Sequence, residues 1–209
     1  MKLHGYFRST AAWRVRIALG LKGLKAEDVF HHLRKGEQTA PAYLALNPQG
    51  LLPAFETDER QVLTQSLAII EYLDEVYPEP SLLPGDAIQR AKIRAAALVV
   101  AADTHPVQNL KILNRVRALG QDDAGVQAWA RVTIDEGLDA LNSLLEQQSG
   151  PFAFGDQPTL GDLCLVPQLG NARRFGVDLR WPRLIQIEAA CLALPAFQQA
   201  APEQQPDAE

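Results

Sequence analysis

The sequence predicts two domains of different class, an α/β domain over residues 1–80 and an all-helical domain over residues 87–209. Three observations carry this reading. The first eighty residues alternate strand-like and helix-like stretches in the order βαβαββα. Prolines then cluster at Tyr77-Pro78-Glu79-Pro80-Ser81 and Pro84-Gly85-Asp86, the pattern of a linker. From Ala87 onward the chain is Ala-rich with helical apolar spacing and no convincing strand.

Each element has a local reason. Lys2 to Phe7 reads as a strand. Ser9 or Thr10 offers an N-cap for a helix that carries Trp13, Ile17, Ala18 and Leu21 and stops at Gly23. Ala26 to His32 is the second strand, so the first crossover implies a parallel pair. Gln38 to Leu46 reads as a helix stopped by Asn47-Pro48. Pro53–Glu56 and Gln61–Leu63 flank a turn at Asp58-Glu59 and add an antiparallel edge. Ser66 caps a helix with Leu67, Ile70, Leu73 and Val76 at helical spacing. Further helices are expected over 87–119, over 124–147, after Thr159, and over 184–193. The polar tail from Ala201, with two prolines, is expected to be mobile.

Composition narrows the function classes. Apolar residues make up 47% and charged residues 22%, a balance that supports packed cores and excludes disorder for the bulk of the chain. A net charge of −5 argues against a broad nucleic-acid surface, which needs clustered cations. Cys164 and Cys191 are too few for a disulfide framework and read as reduced thiols, Cys164 as an inert buried one. The start MKLHGYFRST lacks the apolar region of a signal peptide, and the longest apolar run is too short to span a bilayer. The expectation is a soluble, cytoplasmic protein. His31 and His32 are adjacent, so on a strand they face opposite sides, and no metal site is expected.

Three loop ends on one edge of the small domain could hold a ligand. Ser9, in Phe7-Arg8-Ser9-Thr10-Ala11-Ala12-Trp13, lies at a strand-to-helix junction. Free N–H groups and positive partial charge there favour an anion, a thiolate included, although capping alone would also explain the serine. Leu51-Leu52-Pro53 enters a strand, and a cis X–Pro bond would turn backbone groups outward to pair with an extended peptide. Gln65-Ser66 stands at a helix start suited to a carboxylate, with capping again the plain alternative.

Together these residues resemble the zeta-class glutathione transferases, a group that includes maleylacetoacetate and maleylpyruvate isomerases. The family signature Ser-Ser-Cys-x-Trp-Arg-Val-Arg-Ile-Ala-Leu is matched by Ser9 through Leu19 as STAAWRVRIAL. Further matches are Ala45-Leu46-Asn47-Pro48, Leu52-Pro53, Gln65 through Leu73, Leu82-Leu83-Pro84, His105 through Leu110, Asp162 through Gln168, and Asn171 through Phe175. The resemblance implies a thioredoxin-like domain followed by an all-helical one, a homodimer, and glutathione as coenzyme. It implies that Ser9, with Thr10 beside it, addresses the glutathione sulfur, and that Leu52 pairs its backbone with the cysteinyl unit before a cis Pro53. Gln65 and Ser66 would take the γ-glutamyl carboxylate, and Gln38 the glycine end. His105 and Asn109 would line the cleft from the second domain. Thr159 and Asp162 match a helix-capping box and read as folding residues.

The activity implied is glutathione-dependent cis–trans isomerisation of a small maleyl-keto dicarboxylate. Arg8 and Arg174 are the expected catalytic and substrate-binding cations, with Lys111 a third candidate whose plainer role is a solvated helix face. A helix N-terminus contributes ~0.3–1 kcal/mol, up to ~2 when partly buried, and a serine hydroxyl roughly 0.5–1.5. At ~1.4 kcal/mol per pKa unit they supply about one to two units of thiol acidification. Ser9 is preferred over Tyr6, which lies within the strand. Ala11 replaces the family's signature cysteine and turns the expectation toward maleylpyruvate ahead of maleylacetoacetate. Two alternatives stand beside this: a conjugating or peroxide-reducing glutathione transferase, and a noncatalytic binding module.

Overall fold

Four short strands assemble the first unit of the chain. In the computed structural model, which describes residues 1–209, they are β1 (Lys2–Gly5), β2 (Glu27–Phe30), β3 (Ala54–Glu56) and β4 (Val62–Thr64). Their order across the sheet is β2-β1-β3-β4. β1 and β2 are parallel, joined through helix α1 (Thr10–Leu21), while β1–β3 and β3–β4 are antiparallel. Leu3 faces Phe55 in this register, and both are buried. Helix α3 (Ser66–Val76) and α1 pack together and bury Val15, Ile17, Ala18, Ile69, Ile70 and Leu73. The βαβαββα order expected from the sequence is the order found.

The end of α1 fastens the chain beyond α3. Lys22, its side chain fully buried, donates Nζ to Asp74 Oδ1 at 2.6 Å, to the Tyr77 carbonyl at 2.6 Å and to the Pro80 carbonyl at 2.8 Å. Residues 37–46 depart from the expected single helix. A 3-10 turn at Glu37–Thr39 precedes a four-residue helix α2 (Pro41–Leu44). Gly36, at φ 76°, breaks the backbone before it, and Pro41 can start a helix but cannot continue one.

The second unit, residues 83–191, is helical: α4 (Ala87–Leu98), α5 (Leu110–Ala118), α6 (Asp123–Leu145), α7 (Leu160–Arg174) and α8 (Pro182–Leu192), whose last residue already belongs to the first unit. The single helix expected over 87–119 is interrupted. A π-helical stretch Val99–Thr104 and a 3-10 turn His105–Gln108 separate α4 from α5. Pro106 lacks the N–H a continuous helix needs, and Asn109 restarts the helix by accepting from the Ile112 N–H at 3.0 Å. Gly137 on α6 makes room for the stretch, because a Cβ there would stand 2.1 Å from Thr104 Oγ1.

Asp162, fully buried, accepts from the N–H of Ala153 (2.7 Å) and Thr159 (2.8 Å) and from the Thr159 hydroxyl (2.9 Å), completing the capping box of α7. Cys164 and Cys191 are both buried. Cys191 Sγ lies 3.7 Å from Asp162 Oδ1, and burial with the nearby carboxylate pushes its thiol well above the ordinary range.

The C-terminal segment corrects two expectations. Residues 192–209 belong with the first unit and not with the helical domain expected over 87–209. Helix α9 (Pro195–Ala200) lies on α1, where Gly20 has no Cβ to hold Ala196 away. The tail expected to be mobile is anchored. A 3-10 turn spans Pro202–Gln204, and Gln205 Nε2 donates to the carbonyls of Gln199 and Ala201, each at 2.8 Å.

Candidate active site

The strand-to-helix junction after β1 presents one hydroxyl with an unusual division of labour. Ser9 Oγ accepts from the Ala12 N–H at 3.2 Å, and the Ser9 carbonyl accepts from the Trp13 N–H at 2.8 Å. Ser9 is therefore the N-cap of α1, at 9% exposure. Because Oγ acts as an acceptor toward the helix, its own hydrogen remains to be donated elsewhere. Thr10 Oγ1, one residue on, is buried without a hydrogen-bond partner in the fold. Serine donor, helix N–H groups and helix dipole together favour an anion at this position. Arg8, half-buried, lays its guanidinium 4.9 Å from the centre of the Phe7 ring and forms no ion pair.

The second loop end is held from beneath. Leu52–Pro53 is a cis peptide. The Leu51 carbonyl just before it accepts from Tyr43 Oη at 2.7 Å and from Asn47 Nδ2 at 2.6 Å. With that carbonyl occupied, the Leu52 backbone is the next pair of groups along the segment. Tyr43 is buried, and burial pushes its phenol up to about 12, so it stays a donor.

Gln65 and Ser66 form the third loop end. Gln65 has φ 68°, a left-handed backbone costly for a residue with a side chain, and such conformations persist where the surroundings over-determine them. Here Gln65 Nε2 donates to Gln49 Oε1 at 2.8 Å, and the Gln49 N–H donates to Asn47 Oδ1 at 3.1 Å. Asn47 thus organises both the Leu51 carbonyl and the partner of Gln65. Ser66 begins α3, and its Oγ accepts from Nη1 of the buried Arg14 at 3.2 Å. Since Arg14 lies on α1, the helix that Ser9 caps also carries positive charge to the start of α3.

Gln38 sits in the 3-10 turn, with Oε1 buried and unpartnered within the fold. Its backbone carbonyl is 3.3 Å from where a Cβ of Gly50 would be, which brings the turn beside the Asn47–Leu52 segment. Within the first unit the Asn47–Leu52 loop thus hydrogen-bonds Gln65 and supports the segment before Leu52 and Pro53, with the Gln38 turn packed beside it and Ser66 held by Arg14. Tyr43, Asn47, Gln49 and Arg14, which support it, escaped the sequence reading. The turn signal Asn47-Pro48-Gln49-Gly50 was the available clue.

In the second unit, half-buried His105 opens the 3-10 turn and Asn109 caps α5. Gln108 between them, fully buried, accepts through Oε1 from Asn171 Nδ2 of α7 at 2.9 Å. Three residues further along α7, exposed Arg174 stacks on Phe175 at 4.9 Å. The Gln108–Asn171 bond ties the His105–Asn109 turn to the helix that bears Arg174. Lys111 is an exposed residue of α5. His31 and His32 diverge: His31 Nε2 lies 3.0 Å from His4 Nδ1, while His32 caps the 3-10 turn Leu33–Lys35. Neither belongs to a cluster of metal-ligating side chains.

This arrangement has close counterparts. The chain matches the glutathione S-transferase N-terminal domain over residues 3–81 and the glutathione S-transferase C-terminal domain over residues 86–190. It belongs to the glutathione S-transferase family. A maleylacetoacetate isomerase of Pseudomonas aeruginosa is 48% identical over 99% of this chain and 98% of its own length. A bacterial maleylpyruvate isomerase, solved in its holo form and described as a zeta-class glutathione S-transferase, superposes with a TM-score of 0.97 at 47% identity and full coverage of both chains. A maleylacetoacetate isomerase of Anaeromyxobacter dehalogenans, solved with glutathione in its active site, gives a TM-score of 0.91 at 45% identity, covering 100% of this chain and 97% of that one. Within the family the chain is of the zeta class.

Proposed function

We propose that this protein is a glutathione-dependent cis–trans isomerase of a maleyl-keto acid, with maleylpyruvate ahead of maleylacetoacetate as substrate. The observation that carries the reading is the Ser9 hydroxyl. It is spent as an acceptor on α1 and left with its hydrogen to give, at the N-terminus of a helix whose Arg14 reaches Ser66. The relatives named for the two substrates are 47% and 48% identical, so the order of substrates rests on Ala11, in the first turn of α1, where the family signature has cysteine.

The residues fit glutathione by chemistry. Gln38 Oε1 is a buried acceptor in want of an N–H, Leu52 offers a backbone pair beside a cis proline, and Gln65 and Ser66 provide donors at a helix start. Bound glutathione supplies a thiol whose reversible addition to the conjugated cis double bond lets that bond rotate, and the coenzyme is regenerated. Ser9 and the N-terminal N–H groups of α1 hold the sulfur as its anion. Arg8 and Arg174 pair with substrate carboxylates and with the negative charge that develops toward the ketone oxygen during addition. Lys111 contributes longer-range positive potential. His105 and Asn109 complete the contacts to the coenzyme. Both domains of the family are present, and we assign a homodimer located in the cytoplasm; no helix is long and apolar enough to cross a membrane.

The test measures kcat/KM for maleylpyruvate and maleylacetoacetate side by side, with and without glutathione. Turnover of both that requires glutathione, with the larger value for maleylpyruvate, is expected. Faster maleylacetoacetate turnover reverses the substrate order, and no turnover of either overturns the isomerase.

A further inference from the structure

We propose that the C-terminal tail is a strap that positions the sulfur-binding loop, and that Asp207 is its positioning residue. The inference rests on the reading of Ser9 as the sulfur's partner. β1 ends at Gly5, so the Phe7 peptide has no strand partner, yet it directly precedes Arg8 and Ser9. The C-terminal segment takes its N–H directly and is linked to its carbonyl through Arg16 of α1. The Phe7 N–H donates to Asp207 Oδ2 at 3.0 Å. The Phe7 carbonyl accepts from Arg16 Nη2 at 3.0 Å, while Arg16 Nε donates to the Ala200 carbonyl, also at 3.0 Å. Arg16 is itself largely buried, which lowers it to about 10, against the upward pull of Asp207 and Asp28, and it remains charged at neutral pH.

Two residues beyond Asp207 the tail reaches another loop. Glu209 Oε1 lies 2.7 Å from His32 Nε2. His32 Nδ1 accepts from the Lys35 N–H at 3.2 Å, so Nε2 carries the hydrogen donated to Glu209. The His32 N–H in turn donates to Glu37 Oε2 at 2.6 Å, next to Gln38. One short segment therefore clamps the loop before Ser9 and the turn before Gln38. The tail's own turns, held by Gln205, fix where Asp207 falls.

What Phe7 needs from Asp207 is an acceptor at one place, and three full-length variants separate that from charge and bulk. Asp207→Ala removes the acceptor. Asp207→Glu keeps the charge but moves the acceptor by one methylene. Asp207→Asn keeps an oxygen in place and drops the charge. The readouts are amide hydrogen exchange of the Phe7–Thr10 segment, glutathione affinity by calorimetry and the pH titration of the bound thiol. We expect Asp207→Ala and Asp207→Glu to quicken exchange of that segment and to weaken glutathione binding by roughly 3- to 10-fold, the worth of one hydrogen bond. The bound thiol should titrate at higher pH in both. Asp207→Asn should stay within about twofold of the parent, and exchange within α7 should be unchanged in all three. Unchanged exchange and affinity in Asp207→Glu, or equal impairment of Asp207→Asn and Asp207→Ala, overturns the strap. Failure of the parent protein to bind glutathione overturns the functional reading instead, and the exchange data still judge the strap.

Discussion

Replacing Ser9 by alanine removes two interactions that can be measured apart. The first is the cap: Oγ accepts from the Ala12 N–H at 3.2 Å, and losing such a cap costs about 1 kcal/mol. For a chain of this length that lowers Tm by about 2–4 °C. The second is the donated hydrogen. Its acceptor in the complex is a charged sulfur, and hydrogen bonds to charged groups are worth about 1.5–3 kcal/mol. At 1.36 kcal/mol per unit, the pKa of the bound glutathione thiol should rise by roughly one to two units. Thiolate absorbance of the glutathione complex, followed against pH, reads the second effect, and thermal unfolding of the free protein reads the first. Ser9→Thr keeps both groups and should stay near the parent on both measures. Tyr6→Phe should leave the thiol titration where it is. If Ser9→Ala lowers Tm while the thiol titrates unchanged, Ser9 is only a cap and the reasoning fails.

Three further outcomes are expected. Asp162→Ala strands two buried backbone N–H groups and the Thr159 hydroxyl, at about 1–3 kcal/mol for each stranded group, so unfolding by urea should show a loss of roughly 3 kcal/mol or more; a loss under about 1 would contradict the capping account. Gln65→Ala and Gln65→Gly both lose the amide and should bind glutathione more weakly, but glycine relieves the left-handed backbone, so the glycine variant should be the more stable by about 1 kcal/mol in thermal unfolding. His31 is held below its usual pKa by burial and then by His4, against a smaller upward pull from Glu37, and it packs on Tyr43 while His4 contacts Glu56. A lowered histidine pKa leaves its stability contribution whole above the unfolded value and removes it as the pH falls toward the folded one. Urea unfolding should therefore show the parent losing stability below about pH 6.5, by no more than about 1.4 kcal/mol per pH unit, and His31→Gln losing less.

Local chemistry made much of this legible in the sequence. The βαβαββα order followed from cap residues, turn residues and apolar spacing, and Ser9 is a side-chain cap that a short window reveals; Ser66, expected as a cap, is instead the first residue of α3 behind Gln65, its hydroxyl turned to Arg14. What stayed hidden depends on distant partners. Asn47 matters because it reaches both Leu51 and Gln49, a property of the folded loop that its turn signal does not disclose. The break at residues 99–108 was missed because the apolar spacing continues through it, even though Pro106 forbids a regular helix there. The tail looked mobile because its composition is polar, yet Asp207, Glu209 and Gln205 find partners up to 200 residues away in sequence.

The central claim is that glutathione is a coenzyme for isomerisation and is not consumed. The most direct measurement is a progress curve with maleylpyruvate in large excess over glutathione, following the trans product and free thiol together. The account predicts conversion that runs to completion, many product molecules for each glutathione, with free thiol constant throughout. Conversion that stops at one equivalent of glutathione, with matching thiol loss, would contradict it and identify a conjugating transferase.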